Sequence, residues 1–159
     1  MGQKSTGLVV DLILKNIQLR QPKSPEELEK YYNLRWSVLR EPWNMPPGSE
    51  RVNDDDTASH IMAVNPAGKI IGAGRVHLNS PTEAQVRFMA VDNSCRKMGV
   101  GGMILNRLEE IAGKEGASTV ILQARDYAIP FYEKNGYTIL EKSYLLFDTI
   151  QHYKMGKNL

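Results

Sequence analysis

Hydrophobic and polar positions along the chain change period several times, and each change marks an element. Ser24, Pro25 and Glu27 form a capping box with proline at the first helical position. The apolar positions Leu28, Tyr31, Leu34 and Val38 then recur at helical spacing, which predicts a helix ending near Leu39. "EPWNMPPGSERVNDDD" breaks the period with three prolines and a glycine and reads as an irregular segment with one short helical turn. "SHIMAVN", "KIIGAGRVHLN" and "AQVRFMAV" read as three strands with short links, an antiparallel meander. A helix from about Gly99 to Lys114 carries Ile104, Leu108 and Ile111 on one face, with Leu105 and Ala112 beside them. "TVILQA" follows as a buried strand, so strand, helix and strand predict a right-handed crossover between parallel strands. A short helix at "AIPFYEKNG" closes at Gly136, and "YTILEKSYLL" with "IQHYKMG" supplies a final antiparallel pair. Residues 1–15 read as an N-terminal extension, either a short helix or an added strand, ahead of one domain over 16–159.

Length and composition fit that organisation. A chain of 159 residues, 42% hydrophobic and 24% charged, can bury enough surface to fold as one domain without staples. A net charge of +2 spread along the chain argues against a nucleic-acid surface, and no apolar run reaches membrane-spanning length. The single cysteine, Cys95, excludes an internal disulfide and fits a reducing, cytoplasmic setting. His60, His77 and His152 lack metal-type spacing, so no metal is expected. The opening "MGQKST" matches a short myristoylation pattern at Gly2 and Thr6, but no polybasic second signal follows. A membrane partner is therefore not expected.

The chemistry gathers in "VRFMAVDNSCRKMGVGGMIL", where a strand runs through basic and glycine positions into a helix. Gly99, Gly101 and Gly102 leave room for an anion to reach backbone N–H groups at a helix N-terminus, and Arg96 and Lys97 add charge at the rim. The spacing alone equally suits a tight strand-to-helix turn with no ligand. The dinucleotide fingerprint fails because Ile104 stands where its third glycine is required, and the P-loop lacks its Gly-Lys-Ser/Thr.

Arg96-Lys97-Met98-Gly99-Val100-Gly101 resembles the Arg/Gln-x-x-Gly-x-Gly/Ala signature of the GNAT superfamily of acyl-CoA N-acyltransferases. "FMAVDNSCRKMGVGG" and "AIPFYEKNGY" resemble its strand-plus-loop and later helix, and "RWSVLREPWNMPPGSER" is similar to the ElaA-like branch and to acetyltransferase domains fused to thioesterases. The resemblance implies an α/β fold with a mixed, mostly antiparallel sheet, a splayed parallel strand pair and flanking helices. It implies an N-acetyltransferase acting by direct ternary-complex attack of an amine on acetyl-CoA, with a non-catalytic acyl-CoA-binding or sensing module as the alternative.

Carried over by position, the resemblance has Met89 and Val91, with Ala90 between them, offer backbone groups to the pantetheine arm of the cosubstrate. Amides from Lys97 through Met98, Gly99, Val100 and Gly101 to Gly102 hold the diphosphate, with Arg96 nearby. Tyr132 protonates the departing thiolate, although alone it reads as a core aromatic. Gln85 stands where some members carry a basic glutamate, which leaves Glu83, on the same strand face, as the candidate base. Arg125 replaces a frequent asparagine. Arg35, Trp36, Arg40 and Trp43 fall where the acceptor amine approaches, as do Arg51 and Tyr144. Inward arginines would suit an anionic acceptor and the acidic run Asp54–Asp56 a cationic one, so the acceptor's identity stays open, as does a homodimer.

Overall fold

The structure is a computed structural model that describes residues 14–159 and, ahead of them, Gly7, Val9 and Leu12. The described residues up to Lys15 are helical. Gly2 and Thr6 lie outside the described residues, and so does most of the expected N-terminal extension.

Among the described residues seven strands form one sheet: β1 Gln18–Arg20, β2 Ser59–Val64, β3 Ile70–Leu78, β4 Glu83–Val91, β5 Thr119–Arg125, β6 Thr138–Leu146 and β7 Ile150–Asn158. Their spatial order is β1-β2-β3-β4-β5-β7-β6, and every neighbouring pair is antiparallel except β4 with β5. The meander and the parallel pair are as the pattern predicts. β7 adds a feature the pattern does not specify: it lies between β5 and β6, so the last strand joins the sheet interior.

Among the described residues after Lys15, the helices are α1 Pro25–Leu39, α2 Val100–Lys114 and α3 Ile129–Lys134. α1 starts where its cap predicts, with the Ser24 side chain accepting from the Glu27 amide at 3.1 Å. Short 3-10 turns at Glu41–Trp43 and Asn53–Asp56 punctuate the irregular segment.

Both faces of the sheet are covered, so alternate residues of β2 enter different cores. Ile61 and Ala63 join α2 residues Val100, Ile104, Leu105 and Leu108, whereas Met62 and Val64 join Tyr31, Tyr32 and Leu34 of α1. α2 lies so close over β3 that a Cβ on Gly72 would come within 2.6 Å of Ile104 Cδ1. The inward stripe of α1 is rotated from the expectation: Leu28 is exposed, and Tyr32 and Arg35 are buried. No helix among the described residues is long and apolar enough to cross a membrane.

Candidate active site

The site begins with an irregularity in β4. Ala73 pairs with Ala90 and Arg75 with Arg87, so one extra β4 residue is accommodated between two pairs of the ladder. That bulge contains Phe88, whose φ of 56° is a left-handed conformation costly for a bulky side chain. Its ring packs against guanidinium groups, with Arg35 at 4.3 Å and Arg87 at 4.7 Å, and these contacts help to offset the strain.

The parallel ladder between β4 and β5 ends one residue before Arg87, at Val86 opposite Leu122. Beyond it β4 stays paired to β3 as far as Val91, and β5 stays paired to β7 as far as Arg125. The two strands therefore part. The Asp92 amide donates to the Ile71 carbonyl at 2.8 Å, so alternation turns Ala90 and Asp92 towards β3 and the amides of Met89 and Val91 towards the gap. Those edge amides can pair with an extended ligand.

β4 delivers the chain to the glycine turn. Lys97 (φ 64°) and Gly99 (φ 92°) are both left-handed, and α2 starts at Val100 with no side-chain cap. The first amides of the helix, at Val100, Gly101 and Gly102, are thus left for solvent or an anion. A Cβ on Gly101 would lie 3.1 Å from Phe131 Cζ and 3.5 Å from Val91 Cγ2, which joins the turn to the β4 edge and to α3. Arg96 and Lys97 are exposed at the rim.

Tyr132 is the buried residue of α3. Its ring meets Phe131 and Tyr137 edge-on, and its hydroxyl makes no side-chain hydrogen bond among the described residues. Burial pushes its pKa above the usual tyrosine value, with nearby Arg125 opposing the shift, so the phenol is protonated at neutral pH.

Glu83 does not join this group. It opposes Thr119 at the start of the β4–β5 ladder and accepts from Asn79 Nδ2 at 3.0 Å; the same amide donates to Gln85 at 3.1 Å. Five residues of strand, about 16 Å, separate it from Phe88. The strand-face argument places Glu83 on the side shared with Gln85 and Arg87, but at the wrong end.

The residues expected near the acceptor divide sharply. Arg35 is fully buried and is taken up within the protein: Nη1 reaches both Asp55 carboxylate oxygens at 3.0 Å and the Glu50 carbonyl at 3.1 Å. It is a structural cation, which corrects its assignment to the acceptor. Asp54 and Asp55 are likewise engaged, through Arg75 at 2.8 and 2.7 Å, so most of the acidic run is neutralised. Arg51 pairs with Glu29 and Glu50.

Trp36 Nε1 donates to the Met45 carbonyl at 2.9 Å and pins the irregular segment to α1. Trp43 lies under the Arg125 guanidinium at 4.5 Å. Arg40 is half-buried, donating to the Ser49 and Leu39 carbonyls. Arg75, Arg87 and Phe88 are central here and were not singled out by the pattern. Their signal is indirect: arginines on strands that otherwise read as buried imply partners or a ligand.

The glycine turn, the strand opening and Tyr132 can together hold an acylated carrier and protonate its leaving group. No group of three metal-ligating side chains occurs among the described residues.

Residues 28–137 match the model of the Acetyltransferase (GNAT) family. The chain is 33% identical over 136 residues to the uncharacterized N-acetyltransferase YjcF of Bacillus subtilis, covering 86% of this chain and 96% of that protein. Escherichia coli ElaA matches with a TM-score of 0.73 at 17% identity, over 89% of this chain and 98% of ElaA. An aminoglycoside 6'-N-acetyltransferase complexed with coenzyme A also gives a TM-score of 0.73 at 17% identity, over 89% and 96% of the two chains. At those identities the two solved structures bear on the fold.

Proposed function

The chain belongs to the acetyltransferase (GNAT) family, and from that premise we propose that its domain over residues 16–159 transfers acetyl from acetyl-CoA directly to an amine in a ternary complex. The observation that carries this reading is the parting of β4 from β5 at the Phe88 bulge, beside a glycine turn whose helix has no side-chain cap.

In this reading acetyl-CoA supplies the activated acetyl group. The free amides from Lys97 to Gly102 hold its diphosphate, with Arg96 and Lys97 contributing charge. Met89 and Val91, with Ala90 between them, present the open β-edge to the pantetheine arm. The acceptor nitrogen forms the new bond to the carbonyl carbon as the carbon–sulfur bond breaks. Sulfur keeps the electron pair and takes the Tyr132 proton. The nitrogen's surplus proton leaves through water, which also reprotonates the phenolate. Glu83 is too far along β4 to accept that proton directly. Cys95 forms no acyl intermediate, and its free thiol suits a reducing cytoplasm.

The test is thiol release from acetyl-CoA in the presence of amines, with acetylated product identified by mass. Amine-dependent release supports transfer. Coenzyme A binding without release across amines of every charge type would instead favour an acyl-CoA-sensing module, a reading supported by the charged neighbours of Tyr132 among the described residues, which include no carboxylate.

A further inference from the structure

Five arginines surround the strand opening, and among the described residues two of them have carboxylate partners. Arg35 and Arg75 are matched by Asp55 and Asp54. Arg40, Arg87 and Arg125 form no ion pair among the described residues.

Their placement shows that this surplus is concentrated. Arg40 Nη1 donates to the Leu39 carbonyl at 3.1 Å, and Arg125 Nη2 donates to the same oxygen at 3.0 Å. One neutral oxygen thus holds nitrogens of two cations within about 6 Å of each other, a separation at which like charges repel. Arg125 is 9% exposed, and its remaining bond goes to the Tyr127 hydroxyl.

The Arg87 side chain makes no hydrogen bond among the described residues. It stands just past the last β4–β5 pair, with its guanidinium against Phe88 at 4.7 Å, and Arg40 approaches the same ring at 5.8 Å. Asp54 and Asp55, the carboxylates that act on Arg87, are already bonded to Arg75 and Arg35. Burial first and neighbouring arginines second hold Arg40 and Arg87 below the usual arginine range. Tyr144 on β6 feels Arg87, Arg125 and Arg40 together. Its ring stacks on His152 at 4.4 Å, and His152 pairs with Arg125 across β5 and β7. Three cations without an ion pair among the described residues, from the C-cap of α1, from β4 and from β5, therefore converge beside an aromatic ring.

These cations are not placed for the diphosphate of the carrier. Arg87 lies on the α1 side of the sheet, opposite Arg75, whereas the glycine turn leads into α2 on the other side. A cationic acceptor would be repelled here, and the acidic run that might have attracted one is spent on Arg35 and Arg75.

We propose that the acceptor amine carries an anionic group, phosphate or carboxylate, held by Arg40, Arg87 and Arg125 beside Tyr144. This assignment rests on the acetyl-transfer reading and names its substrate class. Guanidinium forks suit both anions, and the neighbouring carbonyls restrict where each fork can turn.

The test uses protein saturated with coenzyme A, so that the glycine turn is already filled. Inorganic phosphate, O-phosphoethanolamine, ethanolamine, γ-aminobutyrate, butylamine and spermidine are titrated by calorimetry, and thiol release from acetyl-CoA is measured with each amine. Inorganic phosphate binds, and the phosphorylated or carboxylated amine exceeds its neutral counterpart in affinity and in kcat/KM; the better arm identifies the anion. Arg87→Gln, which removes no side-chain hydrogen bond or ion pair among the described residues and gives up only the contact with the Phe88 ring, weakens anion binding by about tenfold to a hundredfold. Arg40→Gln acts in the same direction. The proposal is overturned if neutral amines or spermidine match the anionic ones, or if Arg87→Gln binds phosphate as wild type does. Failure of coenzyme A itself to bind would remove the acetyl-transfer reading, an outcome distinct from a lost anion preference.

Discussion

Gly101 and Phe131 are in contact across the mouth of the site, where a Cβ on the glycine would come 3.1 Å from the ring. The contact holds the glycine turn against the helix that carries Tyr132. The turn proposed to grip the diphosphate therefore adjoins the helix that carries the proposed proton donor.

Gly102 offers a cleaner probe than its neighbour. Among the described residues a Cβ there would meet Asn135 Oδ1 alone, at 3.4 Å, and glutamate in the first turn favours α2 through propensity and the helix dipole. Gly102→Glu is expected to leave the ligand-free protein as stable as wild type or about 0.5–1 kcal/mol more stable. Its carboxylate opposes the diphosphate, so coenzyme A should no longer raise the melting temperature. Paired thermal scans with and without coenzyme A measure both signs.

Tyr132→Phe removes a hydroxyl that makes no hydrogen bond among the described residues, so folding stability should change little. Turnover should fall by about a hundredfold or more, the usual scale of general acid catalysis, while coenzyme A affinity holds. Burial raises the phenol's pKa, so the acid form outlasts that of free tyrosine, and loss of its proton should not limit activity until past pH ~10. A pH profile of kcat for wild type and variant checks both points.

Asp55 sits between Arg35 and Arg75, both fully buried. Asp55→Ala leaves Arg35 without a carboxylate and should cost about 3 kcal/mol or more, read from urea unfolding. Acid should act in the same direction. Hydrogen bonding from Arg75 holds Asp54 at about 2, down from 3.8. Burial opposes ionisation of Asp55, but the Val52 amide and the two arginines together lower its pKa. A depressed carboxylate stabilises the fold above its unfolded pKa and loses that contribution as pH falls through the folded one. The melting temperature should therefore drop as pH goes from about 4 towards 2, and more shallowly in Asp54→Asn.

Much of this architecture is legible from local signals. Ser24, Pro25 and Glu27 mark the start of α1, and the glycines after Lys97 mark the turn. What escapes is set by partners distant in sequence. Arg35 reads as a solvated or acceptor-facing residue because Asp55, which buries it, lies twenty positions on. Phe88 carries no glycine-like signal for its left-handed backbone, since the bulge depends on its pairing with β3 and on arginines from α1 and β4. The place of β7 is equally non-local, because an antiparallel pair can join a sheet through either strand. Glu83 shows the limit of periodicity: period two identifies its face, and only the observed register reveals its distance from the opening.

Backbone amide shifts of the protein, recorded as acetyl-CoA is added, test the central claim most directly. The largest changes, and slowed solvent exchange, are expected at Lys97 to Gly102 together with Met89 and Val91. Saturable acetyl-CoA binding that leaves those amides unmoved would contradict it.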